Sequence, residues 1–84
     1  MVTVKLFGTL RLDCGVKSLS VEARSVKELY PLVLREILSV RPDSGVTEAA
    51  LRGCHVAVNG KQVTARAALR DGDEVWLFPP VAGG

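Results

Sequence analysis

Few residues in this chain can do chemistry, and they stand apart from one another. Cys14 and Cys54 are the two thiols and His55 is the single imidazole. Their spacing does not match zinc-ligand patterns, and two lone cysteines cannot supply an iron–sulfur cluster. No metal site is expected: Cys54 reads as a small buried residue at the start of a strand, with His55 its exposed neighbour. Asp71, Asp73 and Glu74 crowd one turn, where acidic residues ordinarily meet solvent. No Ser/His/Asp set, phosphate loop or working carboxylate pair is visible. The last two residues are different. Gly83-Gly84 follows a strand that Pro79-Pro80 must stop, because proline cannot donate to a ladder. Glycines permit almost any backbone angle and carry no side chain. Such an end can pass down a narrow channel and present its carboxylate deep inside another protein. A carboxylate is a poor electrophile, so it must first be activated. Joining it to AMP gives an acyl-adenylate, and a sulfur nucleophile that displaces AMP leaves a thiocarboxylate.

The elements that must hold such a tail are read from periodicity. Val2, Val4 and Leu6 alternate with Thr3, Lys5 and Phe7, which predicts a strand with one buried face. Residues 8–15 hold two glycines and Asp13 and read as a connection. Val16 to Val21 reads as a second strand, with Leu19 and Val21 on one face. Ser25-Val26-Lys27-Glu28 is a capping box, in which Glu28 reaches back to the Ser25 N–H. Behind it Val26, Leu29, Tyr30, Val33, Leu34, Ile37 and Leu38 form a helical stripe. Pro31 falls inside that helix and predicts a distorted first turn. Pro42 helps to end it. Over residues 43–54 the pattern is weak, with one short helical turn at Thr47 to Leu51. Val56 to Val58 and Lys61 to Val63 are strands around the tight-turn pair Asn59-Gly60. In the last strand, Glu74 to Phe78, Val75 and Leu77 oppose Trp76 and Phe78. Trp76, a large apolar ring, is expected in the core. The order β-β-α-β-β-β with one main helix is α+β. The domain is expected over residues 1–78, with a flexible tail over 79–84.

Length and composition set bounds. The 84 residues make one domain with room for one small core. With 48% hydrophobic and 24% charged residues the chain is expected to fold. A net charge of +2 from scattered Lys and Arg gives no nucleic-acid footprint. The absence of a ~20-residue apolar run argues against a membrane span, and the N-terminus lacks signal-peptide character. A cytoplasmic protein with reduced thiols is expected.

Val4-Lys5-Leu6-Phe7-Gly8, Asp71-Gly72-Asp73-Glu74-Val75 and above all Phe78-Pro79-Pro80-Val81-Ala82-Gly83-Gly84 resemble the MoaD family, the small subunit of molybdopterin synthase. The Asp-Gly-Asp-Glu turn is shared with ThiS, the related thiamine sulfur carrier. The resemblance covers the whole chain. It implies a ubiquitin-like β-grasp fold, with a mixed sheet of four or five strands, one main helix on one face, and the first and last strands parallel. It implies that Gly84 is adenylated by a ubiquitin-activating-type enzyme (MoeB-like), which uses ATP, and becomes a thiocarboxylate. The chain itself is expected to bind no cofactor. The sulfur would pass to a pterin precursor in the large synthase subunit (MoaE-like). Gly83 would give the slim approach, and Phe7, Phe78, Pro79, Pro80 and Val81 would meet the partner. Phe7, opposite Val4 and Leu6, lies either under the helix or exposed. Sulfur delivery to thiamine or tRNA, protein modification on lysines, and a plain interaction module remain alternatives.

Overall fold

A computed structural model describes residues 1–80. The strands are β1 (Val2–Leu6), β2 (Ser18–Val21), β3 (His55–Val58), β4 (Lys61–Val63) and β5 (Glu74–Phe78). The helices are α1 (Gly8–Cys14), α2 (Val26–Val40) and α3 (Glu48–Arg52). The strands form one mixed sheet in the order β2-β1-β5-β3-β4. Among the described residues, β1 and β5 are the one parallel pair, with Val4 opposite Val75 and Leu6 opposite Leu77. This is the β-grasp arrangement: the two ends of the chain supply the central strand pair and α2 covers one face.

The period-2 pattern decides which face is covered. Val2, Val4, Leu6, Val75 and Leu77 are all 2% exposed or less, and they meet Val26, Leu29, Val33 and Ile37 from α2. Complete burial of each such side chain stabilises by about 1.5–3 kcal/mol before entropy is counted. Val56 from β3 and Leu51 from α3 close the same layer. Among the described residues, no helix lies over the other face.

The start of α2 follows the capping expectation in part. Ser25 Oγ accepts from the Glu28 N–H at 3.2 Å. Glu28, however, accepts from the Arg24 N–H at 3.0 Å instead of that of Ser25. Ser25 stands opposite Ala68 in a β-bridge closed by its neighbours, with the Val26 N–H donating to the Ala67 carbonyl at 3.0 Å and the Leu69 N–H to the Arg24 carbonyl at 2.8 Å. The expected disturbance at Pro31 does not interrupt α2, which continues through this exposed residue. Thr47 caps α3 by accepting from the Ala50 N–H at 3.1 Å. At the β3–β4 turn, Asn59 and Gly60 both take positive φ, 52° and 85°. That is the geometry of a type I′ hairpin, whose twist matches that of the strands.

One expectation is corrected. Residues 8–14 are not a loop but α1, and the two glycines mark its ends. Leu10 and Cys14, four residues apart, are both buried against the core. Gly15 closes the helix in the left-handed region at φ 73°, its N–H donating to the Arg11 carbonyl at 3.1 Å.

Candidate functional site

The end of β5 and the uncovered sheet face beside it form the candidate site. Outward-pointing residues there are set by strand parity. Trp76 and Phe78 alternate with the buried Val75 and Leu77, and Phe7 follows the buried Leu6. The Phe7 N–H donates to the Leu77 carbonyl at 3.1 Å, which extends the β1–β5 ladder by one residue and sets Phe7 beside Phe78. The two rings stack with centroids 4.8 Å apart and an interplanar angle of 14°. Trp76 meets Phe7 edge to face at 5.8 Å and Phe78 at 6.3 Å. All three rings are half-buried, against each other and not against α2. Edge-to-face and offset pairs of this kind contribute about 0.5–1.5 kcal/mol beyond area burial.

Of the two positions left open for Phe7, the structure takes the outer one: the ring is not under the helix but half-buried beside Trp76 and Phe78. Trp76 is a correction: it stands on the outer face with the phenylalanines and not in the core. The alternation with Val75 and Leu77 carried that signal, and the size of the ring concealed it. Next to the rings lies an apolar groove walled by Phe7, Val56, Ala57, Phe78 and Pro79, with His55 and Gln62 at its polar side. His55 lies directly across the strand from Phe78. The groove therefore reaches to the residues where the chain leaves the sheet.

Gly8 is a second residue that sequence reasoning did not single out for this site. It has φ 62°, and a Cβ built there would sit 3.2 Å from Pro79 Cγ. The missing side chain lets Pro79 pass close to the start of α1. Pro79 and Pro80 follow β5 directly, Pro79 half-buried and Pro80 exposed. The remaining expected site residues, Val81, Gly83 and Gly84, lie outside the described residues. The structure thus brings Phe7, Phe78 and Pro79 together, with Pro80 next in the chain.

The acidic turn anchors the start of β5. Asp73 accepts from the Arg70 N–H at 2.8 Å and from the Asn59 side-chain amide at 3.0 Å. Asn59 in turn accepts from the Glu74 N–H at 3.0 Å. These bonds join the β3–β4 hairpin to the strand that leads into Pro79-Pro80. The Arg70 N–H, followed by the Asn59 amide, holds the Asp73 carboxyl below its ordinary range. A depressed folded-state value contributes stability that is present above the unfolded pKa and lost as pH falls through the folded one. Asp73→Asn is therefore expected to flatten the acid side of the stability–pH curve below about pH 4, measured by urea unfolding. An unchanged acid limb would remove Asp73 from this role.

Glu74 is held below its usual range by the Trp76 indole N–H and secondarily by Lys5. Burial pushes the Cys14 and Cys54 thiols up, which keeps them protonated near neutral pH. Cys54 also donates its S–H to the Ala50 carbonyl. Both cysteines serve the core, and Cys54 precedes β3 with His55 exposed beside it. Among the described residues, no helix is long and apolar enough to cross a membrane.

Comparison with known proteins adds to this geometry. The ThiS family model matches residues 4–84. SAMP1 from Haloferax volcanii is 28% identical, over 99% of this chain and 98% of that one, with a TM-score of 0.72. A chain of the BexX/CysO complex from Amycolatopsis orientalis is 31% identical over the whole of both chains, with a TM-score of 0.71. A chain of the complex of molybdopterin-converting factor subunits 1 and 2 from Helicobacter pylori is 30% identical, over 99% of this chain and 97% of that one, with a TM-score of 0.59. No curated protein matches the sequence at a significant level. With the family model spanning nearly its whole length, the chain belongs to the ThiS family, among the MoaD/ThiS-like sulfur carriers of β-grasp fold.

Proposed function

We propose that this chain carries sulfur on the carboxyl group of Gly84 for molybdopterin synthesis. The observation that carries the reading is the position of β5. This central strand ends at Pro79-Pro80 beside an uncovered aromatic face. A partner docked on Phe7 and Phe78 would receive whatever follows Pro80 in its own interior. Two further facts support it: the family match runs through Gly84, and one similar chain comes from a two-subunit molybdopterin-converting factor.

The chemistry is divided between proteins. A ubiquitin-activating-type enzyme binds ATP. The Gly84 carboxylate attacks the α-phosphorus, pyrophosphate leaves, and an acyl-adenylate forms. A sulfur nucleophile then attacks the acyl carbon. AMP departs with one carboxylate oxygen, and a thiocarboxylate remains. The large synthase subunit accepts the tail next, with Gly83 giving clearance and Phe7, Phe78, Pro79, Pro80 and Val81 holding the body. The thiocarboxylate sulfur bonds to a carbon of the pterin precursor, water cleaves the resulting thioester, the sulfur stays on the pterin and the Gly84 carboxylate is regenerated. This chain supplies the reacting carbonyl and its presentation and needs no cofactor of its own. The cytoplasm, where Cys14 and Cys54 stay reduced, is the compartment that suits it.

Intact mass tests the reading. After co-expression with the activating enzyme and a sulfur source, the protein should gain about 16 Da, oxygen exchanged for sulfur. A persistent absence of that gain would sink it. The likeness to SAMP1, a small archaeal modifier protein, favours a second reading, attachment to lysines. Covalent adducts on lysine side chains in the same experiment would select it.

Phe78 separates docking from folding. Phe78→Ala should weaken binding to the large subunit by roughly tenfold or more. Its thermal midpoint should fall less than that of a core truncation such as Leu77→Ala, since only two half-buried ring contacts, to Phe7 and Trp76, are lost. Calorimetric titration and thermal unfolding of the same variant check both, and the reverse pattern would assign Phe78 to folding.

A further inference from the structure

Two features of the docking face go unused in the sulfur-carrier reading. The first is Trp76, the single tryptophan of the chain. Its indole N–H donates to the Glu74 carboxylate, and Glu74 also meets Lys5 Nζ at 3.4 Å. Its ring is flanked by Phe7 and Phe78, so it is fixed on two sides. The helix-facing side of β5 is already filled by Val75 and Leu77, both fully buried. Trp76 adds nothing to that core. A large ring already held in one orientation loses little freedom when a partner covers it, which favours tight binding.

The second feature is charge. Lys5, Arg11 and Lys17 line one cleft together with Leu6, Phe7 and Ser18, and among the described residues no carboxylate lines it. Arg11 and Lys17 are exposed. The Lys5–Glu74 pair is itself solvent-accessible on both sides and contributes little to stability. The cleft opens beside Phe7, so a surface that covers the rings also faces these cations. Charges placed at the border of an apolar contact steer the approach and fix the orientation of the partner.

We infer that Trp76 is the anchor of the docking face, and that it enters an apolar slot of a partner protein bordered by carboxylates, which lie over Lys5, Arg11 and Lys17. The inference rests on the sulfur-carrier reading for the choice of partner. Glu74 is a positioning residue, since it aims the indole without occupying the slot. Charge complementarity sets which way round the partner sits: its acidic border lies on the β1–β2 side, and its entrance for the tail lies beyond Phe78.

The test is titration of the full chain with the purified large synthase subunit and, separately, with the activating enzyme, at about 50 and 300 mM salt. Wild-type Trp76 emission should shift to the blue as either complex forms. Trp76→Ala should bind roughly tenfold more weakly or worse, with Trp76→Phe recovering part of the loss. Arg11→Glu with Lys17→Glu should weaken binding by about tenfold at low salt, and the gap should narrow at high salt. Thermal unfolding of each variant checks its fold, and Trp76→Phe decides the matter if Trp76→Ala does not fold. Emission unmoved at saturation, unchanged affinity in the folded Trp76 variants, or a charge-reversed double variant that binds normally at both salts would overturn the inference. If wild type gains the sulfur mass and binds while the variants behave like it, this inference alone fails. If wild type binds neither protein and gains no mass, the sulfur-carrier reading fails with it.

Discussion

Deleting Gly84 is expected to abolish sulfur transfer and leave the fold intact. The loss follows from geometry. One residue of extended chain spans about 3.3–3.6 Å, so the shortened tail presents its carboxylate that far from the adenylating centre. Reacting atoms must approach to about 3–3.5 Å, and a misplacement of about 1 Å can already cost 10²-fold. A deficit several times larger should put both adenylation and thiocarboxylate formation below detection. One residue added after Gly84 should be as damaging, because it turns the reacting carboxyl carbon into a peptide carbonyl. Neither change touches the packed layer, whose buried residues run from Val2 to Leu77. Intact mass after co-expression and a thermal melt of each variant check the two halves of the claim. Full activity of the extended chain would show that another group reacts. A collapsed melting transition in the shortened chain would show that the tail holds the body together.

Much of this body was legible in the sequence wherever one side of an element is covered and the other is not. Val2, Val4 and Leu6 on β1, and Val75 and Leu77 on β5, announce their faces by alternation, and both strands form with that parity. Ser25 announces the start of α2, and Asn59-Gly60 the hairpin. These are local signals read over a few residues. The pairing of β1 with β5 is not local, since it joins the two ends of the chain, and only the family resemblance supplied it. Helix α1 was missed because seven residues give a single i, i+4 apolar pair, Leu10 and Cys14, too short for a period. The glycines at its two ends then resembled loop residues.

The candidate site was legible in the same uneven way. The terminal motif pointed to a tail whose last residues lie outside the described ones, and the resemblance grouped Phe7 with Phe78, which do stack on the uncovered face. Trp76 was assigned to the core on hydrophobicity, yet in a sheet with one uncovered face parity outranks hydrophobicity. Its neighbours Val75 and Leu77 had already taken the inner side. An apolar residue of the wrong parity on such a strand marks the outer face, and here that face adjoins the exit of the tail. Gly8 was legible only through contact, since nothing in the chain announces that Pro79 passes close to it.

Parity also yields the largest expected change in stability. Leu77 and Phe78 are adjacent, but Leu77 is 0% exposed, lies opposite Leu6 on β1 and Val56 on β3, and points toward α2. Leu77→Ala removes buried methyl groups from the central strand and leaves a cavity that a close-packed layer can only partly fill, at a cost of about 2–5 kcal/mol. A small domain has about 5–15 kcal/mol in total, and one of this size belongs toward the lower end. At about 4–8 °C per kcal/mol the thermal midpoint should fall by at least about 8 °C, and by more if the cavity does not collapse. The variant molecules that remain folded keep Phe7, Trp76 and Phe78 on the outer face. Partner affinity, measured well below the new midpoint, should then stay within about threefold of wild type. Adjacent residues on one strand would thus give opposite results, with Leu77→Ala losing stability and Phe78→Ala losing binding. A Leu77→Ala midpoint within about 3 °C of wild type would mean that the inner face of β5 does not bear the core.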